Sequence, residues 1–353
     1  MTSLRQLHQP TSRSLLINNQ EYLFFGGTAY LGLLVNSDFQ DLVIQGIQKY
    51  GLNNGTSRSN NVQLGIYDQG EREMAKRFNF ESAALFSSGY LAAQATVRSL
   101  SESSEIYYAP DTHPALWLDQ KPAVLNSDFN TWGQVLVEDI NASSKQQVVV
   151  ISNAIDNLRP ELYDFSFLAG VQTCKKVTLI LDDSHGLGIR GSNQVSADIS
   201  FIKDCMNIEV IIVASLAKGF GTDAGIVLGS GDAIAKVKAG PVFMGASPSS
   251  PGFIHALDKG QGIYHEALHK LHRNIDSFNR NIDPALELNS VPNFPVFAST
   301  NSELYSFLYK NGVIISSFPY PLSDSPLLNR IVITALHSQE DILKLTSLLH
   351  GFR

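Results

Sequence analysis

Four runs of uninterrupted apolar residues most constrain what this chain can fold into: 147–152 (QVVVIS), 177–182 (VTLILD), 209–214 (EVIIVA) and 225–229 (GIVLG). A strand that alternates apolar and polar residues buries one face. Runs without alternation bury both, as the strands of a mostly parallel sheet covered by helices do. Shorter runs at 83–86 (AALF), 105–108 (EIYY) and 122–125 (PAVL) extend the series to seven. The intervals between them are long enough for crossover helices. The expected class is therefore α/β, with a mostly parallel seven-stranded sheet flanked by helices.

The flanking sequence reads differently. Residues 14–25 (SLLINNQEYLFF) predict two short strands around Asn18-Asn19, a pair that tolerates positive φ. From 37 to 50 the spacing of Phe39, Leu42, Val43, Ile47 and Tyr50 is helical, with Gly46 as a weak point and Gly51 as the stop. Residues 51–65 form a polar loop of a length that is more often functional than accidental. A helix follows at about 67–78, and a second helical pattern runs from the turn Ser87-Ser88-Gly89 through Val97 and Leu100. Residues 251–282 carry one long helical periodicity. Beyond them, 294–298, 302–311, 312–316, 330–334 and 339–350 read β-α-β-β-α. We expect an N-terminal segment (1–40), a large α/β domain (41–250), a connecting helix (251–282) and a smaller C-terminal α+β domain (283–353).

Composition narrows the function. Hydrophobic residues make up 44% and charged residues 17%, enough to bury a large core. The net charge is 26 minus 33, or −7, with no Lys/Arg run longer than two, which argues against nucleic acid as a partner. Cys174 and Cys205 are too few for a disulfide framework and lack metal-ligand spacing, so no metal is expected. The apolar runs are far shorter than the ~20 residues of a bilayer span, and the first residues lack an apolar signal core. A cytoplasmic protein is expected.

Ligands of open α/β sheets bind outside the carboxyl ends of the strands. Three predicted ends carry reactive or anion-binding residues. Ser87-Ser88-Gly89-Tyr90 precedes a helix whose free amides suit a phosphate, although Ser-Ser-Gly is also an ordinary helix cap. Asp182-Asp183-Ser184-His185-Gly186 follows the second long run, where an Asp is equally a turn former and a His equally a surface residue. Ser215-Leu216-Ala217-Lys218-Gly219-Phe220-Gly221 follows the third, where a lone Lys is usually solvated. A phosphate cradle, an Asp, a His and a Lys at one end of one sheet form the set that pyridoxal phosphate needs. Lys218 is the candidate for the Schiff base and Asp182 for the partner of the pyridine nitrogen. His185 is placed to hydrogen-bond the phenolic oxygen, and His113 to stack on the ring.

At these residues the sequence resembles the α-oxoamine synthase group of fold-type I pyridoxal-phosphate enzymes, and its motif wording is nearest to that of 8-amino-7-oxononanoate synthases. The resemblance runs from Arg13 to about Leu349. Tyr30-Leu31-Gly32-Leu33 is similar to the family's N-x-Y-L-G-L, and Gly55-Thr56-Ser57-Arg58 with Gly65 to its G-S-R-x-x-x-G loop. Phe86-Ser87-Ser88-Gly89-Tyr90 is similar to its phosphate turn, and His113 falls at its ring-stacking His. Leu181 to Gly186 resembles V-D-[DE]-A-H-[GS], Ser215 to Gly221 resembles T-x-[GS]-K-[AG]-[FL]-G, and Asn329-Arg330 through His337 resembles R-[LI]-x-[LV]-[TS]-A-x-H.

The resemblance implies that Ser88, Gly89, Tyr90 and Ser215 hold the cofactor phosphate region and that Arg330 grips the substrate carboxylate. It implies that Lys218 is general acid/base as well as anchor, with His113 and His185 beside it. It also implies a reaction in which a small amino acid loses a proton and attacks an acyl-CoA thioester, CoA leaves, and decarboxylation usually yields an aminoketone. A homodimer is implied, in which loops such as 53–60 reach the partner's site.

The chain departs from the family pattern around the substrate. Thr28 replaces the asparagine near the substrate carboxylate. Ala154 replaces the serine of S-M-D-G, unless Ser152 takes its place, and Asn157 replaces the glycine. Most members also have a further N-terminal helix before the position of Arg13, which helps to close the acyl-CoA site. Three activities stay open: the acyltransfer, another pyridoxal-phosphate reaction without CoA (transamination, retro-aldol cleavage or decarboxylation), and a non-catalytic partner subunit, against which Lys218 argues. Phe318-Pro319-Tyr320-Pro321 reads either as pocket wall or as surface turn.

Overall fold

The computed structural model describes residues 4, 6–125, 127–319 and 327–352. Strands β1 (Ser14–Ile17) and β2 (Gln20–Phe25) meet at Asn18 and Asn19, whose φ values of 50° and 61° are those of a two-residue hairpin turn. Helix α1 (Ser37–Tyr50) begins where the Phe39 amide donates to the Asn36 side chain at 2.8 Å, and it ends at Gly51. Then come α2 (Ile66–Phe78), β3 (Ser82–Phe86), α3 (Gly89–Leu100), β4 (Glu105–Tyr108), α4 (Phe129–Ala142) and β5 (Gln147–Asn153). The short pair β6 (Ile155–Asp156) and β7 (Glu161–Leu162) is followed by β8 (Lys176–Asp182) and β9 (Ile208–Ser215). One turn of helix, α5 (Leu216–Gly219), leads into β10 (Gly225–Gly229). Helices α6 (Gly231–Ala239), α7 (Pro241–Gly245), α8 (Pro251–Lys259) and α9 (Gln261–Asn281) precede β11 (Val296–Ser299), α10 (Leu304–Lys310), β12 (Val313–Pro319), β13 (Leu327–Val332) and α11 (Gln339–His350).

The larger sheet has the order β3-β10-β9-β8-β5-β4. From β9 to β4 neighbouring strands are parallel, and β10 alone runs against both neighbours. The link across α5 is too short for a crossover, so the chain returns antiparallel. The uninterrupted apolar runs do bury both faces. Val148, Val150, Leu179, Leu181, Ile212 and Ala214 point into one core, and Val149, Ile151, Ile180, Ile211 and Val213 into the other. The sheet has six strands among the described residues, not the expected seven. Residues 122–125 form no strand; Pro122 has no N–H to give a ladder, and the segment lines a cavity instead.

The second sheet has the order β1-β2-β12-β13-β11. Strand β2 runs parallel to β12, from Leu23 opposite Val313 to Phe25 opposite Ile315. The opening hairpin therefore belongs to the same sheet as the last strands. The single helix expected over 251–282 is two helices, α8 and α9, parted at Gly260. Phe318 and Pro319 end β12, while Tyr320 and Pro321 lie outside the described residues. Among the described residues no helix is long and apolar enough to cross a membrane.

Candidate active site

The parallel strands β4, β5, β8 and β9 open their carboxyl ends along one edge. Asp182 closes β8, and its Oδ1 accepts from the Ser184 amide at 2.9 Å, which bends the chain into a tight turn. Ser184 Oγ accepts from the Ser215 amide at 2.8 Å, tying the end of β8 to the end of β9. That tie brings the next residues together. His185 Nε2 lies 3.0 Å from Lys218 Nζ, and His185 Nδ1 lies 2.7 Å from the hydroxyl of Tyr30. His113 follows β4; its amide donates to Asn153 Oδ1 at 3.0 Å, and its Nδ1 accepts from the Ala115 amide at 3.1 Å.

Burial and positive charge set the protonation of this group. Burial pushes the Lys218 amine below its ordinary value, Asp182 opposes the shift and Arg330 adds to it. His185 is driven well below the usual imidazole range by burial, then by Lys218, Arg330 and His113. His113 is lowered by burial, raised by Asp182 and lowered by Lys218. A neutral imidazole against a lysine whose ammonium form is disfavoured by burial is an arrangement suited to nucleophilic and proton-transfer chemistry.

Ser88 caps α3, its Oγ accepting from the Leu91 amide at 3.2 Å. A Cβ added at Gly89 would lie 2.5 Å from Ser215 Cβ and 2.7 Å from Ser215 Cα. Only glycine lets the first turn of α3 lie against the β9–α5 junction. Gly225 allows the matching approach on β10, where a Cβ would lie 2.1 Å from the Ser88 carbonyl. The helix amides thus sit next to Ser215, an arrangement suited to an anion. Tyr90 is not drawn into this group; its side chain is 60% exposed.

Arg330 lies on β13, opposite Ala298 of β11 and Ser316 of β12. It is only 4% exposed, and its Nε and Nη2 find no hydrogen-bond partner among the described residues. Its charge reaches Lys218, His185 and Tyr30. The second sheet therefore delivers a buried cation to the edge of the first. Thr28, between β2 and Tyr30 in the sequence, is half-buried, its carbonyl accepting from the Tyr30 amide at 2.9 Å.

The departures from the family pattern have structural answers. Ala154 is fully buried, and its amide donates to the Asp182 carbonyl at 2.9 Å. Ser152 Oγ donates to the Asn153 carbonyl at 2.9 Å. Asp156 accepts from the amides of Leu158 and Arg159 at 2.7 and 3.1 Å, so its side chain builds the turn in which Asn157 stands without glycine. Arg58, in the loop expected to reach a partner, lies against its own chain: 3.3 Å from Glu71, with its guanidinium over the rings of Tyr67 and Phe243.

Three contributors were not singled out in the sequence. Tyr30 was read only as part of a motif, Asp183 only as a neighbour of Asp182, and Asn153 was passed over. Asp183 is fully buried and bonded to the amide and hydroxyl of Ser196, the amide at 2.7 Å. Burial pushes its carboxyl up to about 7, against the Ser196 bonds and with the help of Asp182. The available signal was position: each lies in or next to a polar interruption at a strand end.

A cavity of about 930 Å³ is lined by Thr112 and Pro114, the neighbours of His113 in sequence. Its walls also include Trp117, Lys121, Phe129, Arg159 and Tyr163. It combines aromatic residues with two cations and four carboxylates, Asp111, Asp128, Asp156 and Glu161, and Arg159 is paired with Asp111 at 3.0 Å.

The profile of the aminotransferase class I and II family matches residues 35–349. Proteins named 8-amino-7-oxononanoate synthase from Aliivibrio fischeri and Petrotoga mobilis are each 24% identical to this chain; the alignments cover 97% of it and 92% and 91% of the relatives. Among solved structures, the serine palmitoyltransferase of Sphingomonas wittichii superposes with a TM-score of 0.81 at 16% identity, covering 98% of this chain and 91% of that one. An 8-amino-7-oxononanoate synthase from Francisella tularensis superposes at 0.65 with 20% identity, covering 94% and 97%. These likenesses share the fold described above, and the chain belongs to the aminotransferase class I and II family, in its α-oxoamine synthase group of pyridoxal-phosphate-dependent transferases.

Proposed function

We propose that the protein is a C-acyltransferase that joins a small amino acid to the acyl group of an acyl-CoA thioester, usually with loss of carbon dioxide, to give an aminoketone. The observation that carries this is Arg330: a guanidinium buried to 4% exposure with two nitrogens unpaired, acting electrostatically on the lysine that does the chemistry. Such a group fits a carboxylate held by two parallel hydrogen bonds.

The residues present fit the cofactor. Lys218 supplies the amine, Asp182 the carboxylate for the ring nitrogen, His185 a ring nitrogen for the phenolic oxygen, and His113 the stacking face. The amides at Gly89 and the hydroxyls of Ser88 and Ser215 receive the phosphate, and the glycine-only contact at Gly89 shapes that cradle. When bound, pyridoxal phosphate accepts the electron pair left at the amino acid's Cα. Lys218 takes the Cα proton and later returns one. The new carbon–carbon bond forms as the thioester C–S bond breaks, and CoA leaves as the thiol. The protein acts as a homodimer with shared sites.

A second reading, a pyridoxal-phosphate reaction without CoA, is favoured by Ala154, which is buried where the family serine would be, with Ser152 Oγ donating to the Asn153 carbonyl. One experiment separates them. Glycine, L-alanine and L-serine are each mixed with a series of acyl-CoAs, and free CoA thiol is measured. Thiol release that requires both substrates supports the acyltransfer. No release across the series, with pyridoxamine phosphate formed by amino acid alone, establishes the second reading.

A further inference from the structure

Tyr30 is fully buried and has no task in the reaction above. Its carbonyl accepts from the Ala335 amide at 2.9 Å, just past β13. Its ring lies 6.2 Å from that of Phe294, and its hydroxyl lies 2.7 Å from His185 Nδ1. A phenol has one proton to donate, and its oxygen can also accept. Among the described residues, His185 Nδ1 is the one acceptor within hydrogen-bond distance of this hydroxyl; Arg330, whose charge acts on Tyr30, can only donate. The phenolic proton therefore goes to His185 Nδ1. Nδ1 is then the accepting nitrogen of a neutral imidazole, and the ring proton sits on Nε2. An Nε2–H 3.0 Å from Lys218 Nζ donates to the lone pair of an uncharged amine and cannot accept from an ammonium.

We propose that Tyr30 is a positioning residue: its hydroxyl fixes His185 as the Nε2–H tautomer and so keeps the Lys218 amine free to attack the cofactor aldehyde. This rests on the reading of Lys218 as the cofactor lysine. The other groups acting on Lys218 are Asp182, which favours its ammonium form, and Arg330, which opposes it. His113 also acts on His185. Burial holds Tyr30 up to about 12, against the pull of Arg330, so its hydroxyl keeps its proton through the neutral range.

The test uses cofactor-free full-length protein labelled with nitrogen-15 histidine. Ring-nitrogen NMR shows which nitrogen of His185 is protonated, the signal being assigned by its loss in His185→Gln. Wild-type protein is expected to show protonated Nε2 and bare Nδ1 at neutral pH. Tyr30→Phe keeps the ring beside Phe294 and removes the hydroxyl. It is expected to show both tautomers and to raise the pH midpoint for covalent uptake of pyridoxal phosphate by about one unit, which is about tenfold slower uptake at neutral pH. Uptake is read by absorbance against Lys218→Ala. Wild-type protein with the proton on Nδ1 overturns the proposal whether or not Tyr30→Phe folds. So does a folded Tyr30→Phe with unchanged tautomer and midpoint. Failure of the underlying reading looks different: wild-type protein shows the Nε2–H tautomer but takes up no pyridoxal phosphate.

Discussion

Arg330 keeps a full charge almost out of water with two donors unpaired, and leaving charged donors unpaired carries a cost above the 1–3 kcal/mol of neutral ones. Arg330→Ala is expected to leave cofactor binding intact and raise the amino-acid KM about 30-fold, roughly 2 kcal/mol for a charge-assisted pair. An unchanged KM under steady-state assay contradicts the assignment. Lys218→Ala is expected to abolish turnover while circular dichroism stays that of the wild type, since the lysine's contact is with His185 and not with the core. That Lys218, Asp182 and His185 gather at one sheet edge was legible because each lies at or within four residues of the end of an apolar run. The Tyr30–His185 contact was not, because it joins residues 155 apart in sequence through a meeting of two sheets that no local spacing encodes.

Among the elements, the uninterrupted runs were the most legible, since burial on both faces leaves no polar positions to mimic another pattern. Residues 122–125 misled because an apolar tetrapeptide has the same composition whether it joins a ladder or lines a cavity. The split at Gly260 was hidden because the periodicity continues across it. The α3–β9 contact is testable: Gly89→Ala pushes a Cβ into Ser215 backbone at 2.7 Å and is expected to weaken pyridoxal phosphate binding at least tenfold by equilibrium dialysis, an order-of-magnitude figure for a misplaced phosphate cradle. His337 gives a pH prediction. The Thr334 amide donates to its Nδ1 at 3.0 Å, its Nε2 faces the Phe24 carbonyl at 3.0 Å, and its ring stacks on Phe25. Burial lowers it to about 4. The folded value lies below the unfolded one, so its contribution is full above about 6.5 and is lost as pH falls toward 4, by roughly 3 kcal/mol. Urea midpoints at pH 7 and 4.5 should diverge in the wild type and converge in His337→Asn.

At the scale of the molecule, residues 34–62 expose Leu34, Ile44, Leu52 and Val62, the last two above 70%. Single exposed apolar residues are ordinary, but four within one stretch suit a covered face. We expect light scattering to give twice the chain mass of 38.6 kDa, and Leu52→Glu with Val62→Glu to shift the species toward the single chain. A dimer unaffected by that double change places the interface elsewhere. The layered α/β class was legible from the sequence. The composition of the smaller sheet was not, because strand partners far apart leave no local trace. That sheet also sets an order in time. Leu23 is made 290 residues before Val313, its partner across the β2–β12 ladder, an interval of roughly 15–60 s at about 5–20 residues per second on the ribosome. Throughout it, the strand QEYLFF waits with an open edge. Newly made copies growing side by side can pair through that edge before either is finished, so the yield of active protein is set as much by the pace and crowding of synthesis as by the stability of the finished fold.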